Sequence, residues 1–203
     1  MAKILGVTVK AATARLLDPL GQALLRAGIS PNMVTWIGTA GVVAGSVFLT
    51  AQGRFVAAVV VITLCGLTDV MDGAMARARG TSSRYGALLD STMDRVADGA
   101  IFSALIWWFA FHEGDRWTVL ATMICLVSGQ VVSYVKARAE GLGMSCQVGL
   151  VERAERLIIV GVGALVTGFG ADWGLPAALW IVAVGSIFTV GQRMVHVARQ
   201  ERA

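Results

Sequence analysis

The sequence has 203 residues, of which 56% are hydrophobic and only 15% are charged, and its formal net charge is +4. Soluble domains average about 25% charged residues, so this composition excludes a disordered chain and disfavours a water-soluble globule. It fits an integral membrane protein, in which arginines of cytoplasmic loops explain the basic excess without any binding of nucleic acid. The three cysteines are far apart and fit neither a disulfide framework nor a zinc site.

The chain begins with a basic segment in which leucines recur at intervals of three and four residues. This spacing predicts an amphipathic helix over residues 1–30 that lies on the cytoplasmic membrane surface. Ser30 and Pro31 then predict a helix start, with Ser30 as the N-cap and Pro31 as the first helical residue.

Six apolar stretches follow within residues 31–203, and each is long enough to cross a hydrocarbon core of about 30 Å. Their predicted bounds are 32–51, 55–79, 86–111, 117–139, 154–170 and 174–198. Of the 17 basic residues, only Arg54 and Arg116 fall on the side of the short connections, so both termini are expected in the cytoplasm. The sequence therefore predicts an all-α domain of six transmembrane helices in the cell (inner) membrane.

Acidic residues interrupt the second and third stretches, where a spanning helix carries charge only for a reason. The second stretch contains Asp69 and Asp72, and the third contains Asp90 and Asp94. The spacings of three and four residues place each pair on one helix face. On neighbouring antiparallel helices the four carboxylates fall at similar depths, toward the cytoplasmic end. Such a cluster is a hard oxygen site that suits Mg²⁺, Mn²⁺ or Ca²⁺.

Small and basic residues are interleaved with these acids. Gly73 and Gly86 permit a close approach of backbone or ligand, and Arg77 is well placed for a phosphate. Two other interpretations stay open: a buried ion network between the acids and nearby arginines, and a proton or ion path in a small transporter. The acids cluster at one end of the bundle and do not thread it, which disfavours the transporter.

The acidic motif has a familiar form. Asp69-x2-Asp72-Gly73-x2-Ala76-Arg77-x8-Gly86-x3-Asp90-x3-Asp94 resembles the full signature of the CDP-alcohol phosphotransferases. With the six-stretch layout, the resemblance covers essentially the whole chain. It implies that an acceptor hydroxyl attacks the β-phosphorus of a CDP-linked lipid and releases CMP, and it suggests a homodimer.

The resemblance also implies roles for individual residues. Asp69, Asp72 and Asp90 would hold Mg²⁺ or Mn²⁺, with two ions expected, and Asp94 would share the metal and act as the general base. The residues that would contact CDP-diacylglycerol are Asn32, Met33, Val34, Thr35, Gly73, Arg77 and Ser83.

Basic residues at the cytoplasmic ends of the last three stretches indicate a pocket that binds an anion, although anchoring at the membrane surface explains any single one of them. The candidates for binding a phosphate on the acceptor are Lys136, Arg153 and Arg193, followed by Ser133, Arg138 and Arg156. Their segments resemble the phosphatidylinositol phosphate synthases of actinobacteria, a branch of this family. Inositol 3-phosphate is therefore the expected acceptor, and glycerol 3-phosphate, used by a phosphatidylglycerol phosphate synthase, is the alternative. Asp98 lies outside the signature, and His196 is interpreted as an interfacial surface residue.

Overall fold

Six long helices make up most of the computed structural model, which describes residues 19, 21, 23–78 and 83–201. Of residues 69, 70, 72–74 and 76–78 only the helical backbone is described. The helices are α1 (Pro31–Phe48), α2 (Phe55–Ala78), α3 (Arg84–Trp108), α4 (Arg116–Gly141), α5 (Arg153–Gly168) and α6 (Gly174–Gln200). The described residues contain no β-strand, so the predicted all-α class is confirmed.

Three helical segments are long and apolar enough to cross a membrane, which is typical of a membrane protein. These segments, found among the described residues, are Pro31–Gln52, Arg116–Gly141 and Gly174–Gln200, and Phe55–Thr68 is a shorter apolar helix. α3 carries acids and arginines along its first half, and α5 has only 16 residues. The count of six membrane spans therefore stays a prediction.

The start of α1 is as predicted, whereas the ends of two helices are more elaborate than their apolar stretches indicate. Ser30 Oγ accepts a hydrogen bond from the Met33 N–H at 3.3 Å, which is an N-cap contact. After α1 a 3₁₀ turn at Thr50–Gln52 ends at Gly53, in the left-handed conformation with φ 72°. After α3 a π-helical turn at Phe109–Glu113 ends the stretch that the sequence predicts as one helix.

The chain divides into two compact units, and the first consists of Met1–Ser46 with Val60–Ala100. In this unit α1 and α2 approach closely because glycines of α1 face α2. A Cβ on Gly41 would lie 2.5 Å from Cys65 Sγ, and a Cβ on Gly45 would lie 3.2 Å from Val61 Cγ1. Since residues later in α1 meet residues earlier in α2, the helices are antiparallel, and the start of α1 lies beside the end of α2.

The predicted amphipathic helix over residues 1–30 lies mostly outside the described residues and stays a prediction. Residues 23–26 are helical, and Gly28 ends this turn in the left-handed conformation with φ 80°. The side chains that dock this end are Leu24, Leu25 and Ile29, which pack against a buried cluster of Val34, Met71 and Met75.

The second unit consists of Val47–Val59 with Ile101–Ala203, and α6 is its central helix. α6 packs against both α4 and α5. Leu179 and Val182 in its middle are completely buried. A Cβ on Gly163 of α5 would overlap the Ala178 side chain, so α5 and α6 are in close contact. This packing fixes the ends of the three helices, where the predicted acceptor residues lie.

Candidate active site

The acids of the predicted metal site lie on α2 and α3, in the first unit. Asp90 and Asp94 are half-buried and one turn apart on α3, so they share a face. Asp69 and Asp72 lie in the helical backbone of α2, but their side chains are outside the described residues. The described side chains, which do not include those of Asp69 and Asp72, contain no group of three His, Cys, Asp or Glu that could hold a metal. The convergence of four carboxylates therefore stays a prediction.

Arg95 lies between the predicted base and a buried acid of the same helix. Its Nη2 is 3.8 Å from Asp94 Oδ2 and 3.9 Å from Asp98 Oδ2. Asp98 is only 2% exposed, and a buried carboxylate requires a compensating charge or hydrogen bonds. Asp98, which lies outside the signature, is therefore linked to Asp94 through the Arg95 guanidinium.

The beginning of α1 contacts both acid-bearing helices within the first unit. Val34, 5% exposed, forms a buried cluster with Met71 and Met75 of α2, in the same turns as Asp69 and Asp72. Asn32 Oδ1 lies 3.5 Å from the place that a Cβ on Gly86 of α3 would occupy. The predicted donor-binding segment 32–35 is thus adjacent to both parts of the signature.

The donor-binding candidates differ in what their side chains contact. Met33 is half exposed, whereas Thr35 is buried and its Oγ1 donates to the Pro31 carbonyl at 3.2 Å.

Ser83 caps α3, since its Oγ accepts from the Gly86 N–H at 2.9 Å. Gly86 thus allows a close approach, here of Ser83 and Asn32. Gly73 and Arg77 lie on α2, where only the backbone is described.

The residues predicted for the acceptor pocket all lie in the second unit, but they are not equally accessible. Lys136 near the end of α4 and Arg153 at the start of α5 are half-buried, and Arg138 is exposed. Ser133 Oγ donates to the Gly129 carbonyl at 3.2 Å. Arg156 is completely buried, and its guanidinium lies against Gly129, where an added Cβ would be 2.9 Å from Cζ.

Arg193 of α6 is 2% exposed and makes three hydrogen bonds with its three guanidinium nitrogens. Nη1 donates to the Val132 carbonyl of α4 at 2.6 Å, and Nε donates to the Val148 carbonyl at 2.8 Å. Nη2 donates to Glu152 Oε1 at 2.9 Å. Arg193 therefore joins α4, the loop over residues 142–152 and the start of α5.

Two further residues of α6 hold the same loop, and sequence reasoning missed both. Thr189 Oγ1 accepts from the Val151 N–H at 3.0 Å. The Gln200 side chain accepts from the Ser145 N–H at 3.0 Å and donates to the Ser145 carbonyl at 2.7 Å. A signal was present, because Thr189, Arg193 and Gln200 are polar residues spaced by four and seven positions, which places them on one helix face.

Glu152 is the N-cap of α5, a role that the sequence analysis did not predict. Its N–H donates to Glu155 Oε2 at 3.2 Å, as part of a reciprocal capping box with Glu155. The pattern of an acceptor residue, two intervening residues and a glutamate before an apolar run is a sequence signal for such a box. The cap fixes the first turn of α5, in which Arg153 lies.

Comparison with known proteins assigns the chain to a family. Residues 28–191 match the model of the CDP-alcohol phosphatidyltransferases. The chain is 49% identical over 195 residues to the phosphatidylinositol phosphate synthase of Mycobacteroides abscessus, covering 96% of this chain and 88% of the relative. It is 48% identical to the enzyme of that name from Mycobacterium tuberculosis strain H37Rv, covering 91% of this chain and 87% of the relative.

Solved structures agree with the sequence comparison. A crystal structure of the M. tuberculosis phosphatidylinositol phosphate synthase with CDP-DAG bound matches with a TM-score of 0.87 at 47% identity, covering 90% of this chain and 94% of the other. A second, in complex with manganese and citrate, matches with a TM-score of 0.86 at 47% identity, covering 89% and 88%. The chain therefore belongs to the CDP-alcohol phosphatidyltransferase family.

Proposed function

We propose that the protein transfers the phosphatidyl group of CDP-diacylglycerol to a hydroxyl of inositol 3-phosphate, giving phosphatidylinositol phosphate and CMP. The observation that carries this proposal is the identity of nearly half of all residues, over 96% of the chain, with a phosphatidylinositol phosphate synthase. The complete acidic signature on α2 and α3 supports it, since both halves lie in continuous helix.

A divalent metal fits the donor set of the first unit. Asp90 and Asp94 are half-buried carboxylates one turn apart, and hard carboxylate oxygens are ligands that Mg²⁺ and Mn²⁺ prefer. We assign Asp69, Asp72 and Asp90 to metal binding, with Asp94 as a shared ligand. Bound divalent ions neutralise the charge of the pyrophosphate and of the departing CMP.

The chain's own residues then orient the donor and move one proton. Gly73, Arg77 and Ser83 contact the nucleotide diphosphate, and segment 32–35 lines the donor site. Asp94 accepts the proton of the acceptor hydroxyl, whose oxygen forms a bond to the β-phosphorus while the bond from that phosphorus to CMP breaks.

The acceptor phosphate is bound by side chains of the second unit. Lys136 and Arg153 are the direct candidates, because both are half-buried cations at the ends of neighbouring helices. Arg138 is exposed at the same end of α4 and ranks after them, with Ser133. The completely buried Arg156 is assigned to packing against Gly129.

We further propose the membrane arrangement that the charge distribution indicates. The six helices cross the cell (inner) membrane, both termini and the acidic site lie on the cytoplasmic side, and the N-terminal segment lies on the membrane surface. The donor's acyl chains stay in the bilayer while its headgroup reaches the acids. A homodimer is the assembly that the family resemblance suggests.

An acceptor panel tests this function. Purified protein with CDP-diacylglycerol and Mn²⁺ is assayed for CMP release with inositol 3-phosphate, free inositol, glycerol 3-phosphate and serine. We expect inositol 3-phosphate to exceed the others by roughly tenfold or more, since a site built for a phosphate and hydroxyls rejects acceptors that leave its polar groups unpaired. Highest release with glycerol 3-phosphate would assign the alternative acceptor, and release with none would reject the transferase.

The base assignment has its own test in the same assay. Asp94→Asn should lower the rate of CMP release by roughly 10²-fold or more, because a positioned general base contributes that much. Asp172→Asn removes an exposed carboxylate between α5 and α6 and serves as the matched control. Full activity of Asp94→Asn would contradict the mechanism.

A further inference from the structure

Asp98 of α3 is a buried carboxylate to which neither the acidic signature nor the acceptor candidates give a role. It is only 2% exposed. It lies about 21 Å from the first residue of the helix, Arg84, at a rise of about 1.5 Å per residue. An ionisable side chain at such a depth in an apolar helix is costly, and it is retained for a specific partner or task.

The guanidinium of Arg95 joins Asp98 to the carboxylate that is proposed as the general base. Arg95 Nη2 is 3.9 Å from Asp98 Oδ2 and 3.8 Å from Asp94 Oδ2, so both contacts are ion pairs. Asp94 and Asp98 are four residues apart and share a helix face, and two carboxylates at this spacing repel each other. The cation close to both of them replaces this repulsion by two attractions.

The two ion pairs differ in their access to solvent. The side chain of Asp98 is 3% exposed, whereas those of Arg95 and Asp94 are 26% and 23% exposed. Water and salt screen a buried charge less than an accessible one, so Asp98 attracts the guanidinium more strongly than Asp94 does. Asp98 therefore anchors Arg95, and the anchored guanidinium orients the more accessible carboxylate of Asp94.

We propose that Asp98 is a positioning residue for the reaction: through the Arg95 guanidinium it fixes the Asp94 carboxylate in the orientation in which Asp94 binds metal and takes the proton of the acceptor hydroxyl. This inference rests on the proposed function, which assigns those two tasks to Asp94. Partners that orient a metal-binding carboxylate change metal affinity or activity by about 10–100-fold when they are removed. Asp98 thus acts on the reaction without touching metal or substrate.

The first test measures Mn²⁺ binding and needs no turnover. Free Mn²⁺ is followed by its electron paramagnetic resonance signal during titration of the wild type, Asp98→Asn, Arg95→Gln and the double variant. Asp98→Asn should raise the Kd for Mn²⁺ roughly tenfold, because Asp94 loses its fixed orientation. The double variant should bind Mn²⁺ no more weakly than Arg95→Gln, since Asp98 acts only through Arg95.

The second test measures CMP release at saturating Mn²⁺, per mole of folded protein. Asp98→Asn should lower kcat roughly tenfold and leave the KM for inositol 3-phosphate within about twofold, because Asp94 acts on the acceptor after it has bound. Arg95→Lys, which keeps the cation, should retain more activity than Arg95→Gln. Asp172→Asn, which removes an exposed carboxylate outside the site, is the matched control and should match the wild type in both tests.

Other roles of Asp98 give different results. If Asp98 binds the metal directly, Asp98→Asn weakens Mn²⁺ binding by the same factor whether residue 95 is Arg or Gln, and this additivity would overturn the inference. A lower thermal midpoint with unchanged kcat and Kd would indicate a purely structural role and would also overturn it. Arg95→Gln leaves a buried carboxylate without its cation. If that variant does not fold, Asp98→Asn alone decides, because it leaves no such charge, and unchanged Kd and kcat reject the inference.

The two tests distinguish failure of this inference from failure of the proposed function. If the wild type releases no CMP with any acceptor, the transferase assignment fails, and the Mn²⁺ titrations still decide whether Asp98 positions Asp94 for the metal. If the wild type releases CMP but Asp98 and Arg95 show no coupling, only the inference fails.

Discussion

Gly129 of α4 leaves the space in which the guanidinium of Arg156 lies. An added Cβ would be 2.9 Å from both Cζ and Nη1 of Arg156, closer than real Cβ atoms approach other groups. Because Arg156 is completely buried, its guanidinium has no open solvent into which it can withdraw. The contact between Gly129 and Arg156 therefore limits the size of the side chain that α4 can carry at position 129 beside α5.

Gly129→Ala should destabilise the protein despite the better helix propensity of alanine. Overpacking costs about 1–3 kcal/mol, whereas the gain in helix propensity is about 0.5–1 kcal/mol. A lower thermal midpoint in detergent, followed by tryptophan fluorescence, is the expected result. Gly161→Ala on α5 is the matched control, since its Cβ would meet nothing within 4 Å, and it should be neutral or slightly stabilising. Equal midpoints for both variants would contradict the steric argument.

At the scale of elements, α4 begins at a cap outside the apolar part of the helix. Asp115 Oδ1 accepts from the N–H groups of Trp117 at 3.0 Å and Thr118 at 3.2 Å, and Oδ2 accepts from the Thr118 hydroxyl at 2.5 Å. The hydroxyl of Thr118 is the largest influence that holds the pKa of Asp115 below its ordinary value of 3.8, and the two backbone donors add to it. The carboxylate is thus both an N-cap and a charge at the positive end of the helix dipole.

This cap predicts a pH-dependent contribution to stability. Because the pKa is lowered in the folded state, the stabilisation is present above pH 3.8 and is lost as pH falls through the folded-state pKa. Asp115→Ala should lower the free energy of unfolding by about 1 kcal/mol near neutral pH, and the difference from the wild type should shrink below pH 4. Asp115→Asn keeps an acceptor and should lose less. Thermal midpoints from pH 7 to 3 measure this, and a difference independent of pH would contradict it.

The sequence predicts existence of the helices better than their ends. The N-cap at Ser30 follows from the adjacent residues Ser30 and Pro31, which is local information. At the left-handed Gly53, the Trp108 ring lies where a Cβ would be, so that this position requires glycine. Such a contact joins residues far apart in sequence, so periodicity alone cannot indicate it.

At the scale of the whole molecule, the signature and the acceptor candidates lie in different compact units. The acids belong to the unit formed by Met1–Ser46 with Val60–Ala100, and Lys136, Arg153 and Arg193 belong to the other. Variants of the two sets should therefore be separable in a kinetic assay, with acids governing metal and catalysis and basic residues governing the KM of the acceptor.

Metal binding gives a whole-molecule readout that is independent of turnover. A ligand that binds only the folded state stabilises it by about 2.7 kcal/mol at a concentration of 100 times its Kd. Mn²⁺ should therefore raise the thermal midpoint, and a chelator should reverse the rise. Asp90→Asn should reduce this shift, while Asp172→Asn should keep it. An undiminished shift in Asp90→Asn would show that the metal lies elsewhere.

By itself the sequence determined the helical class, the capped start of α1 and the acidic signature, because these depend on residue types at short, fixed spacings. The family and its chemistry follow from the same local pattern. Only the tertiary structure decided which basic side chains are accessible and which are buried. Lys136 and Arg193 both read as basic residues near helix ends, yet Arg193 is enclosed by acceptors from α4, a loop and the start of α5. Its partners lie 41 to 61 positions away, and only the packing of three helices brings them within hydrogen-bonding distance.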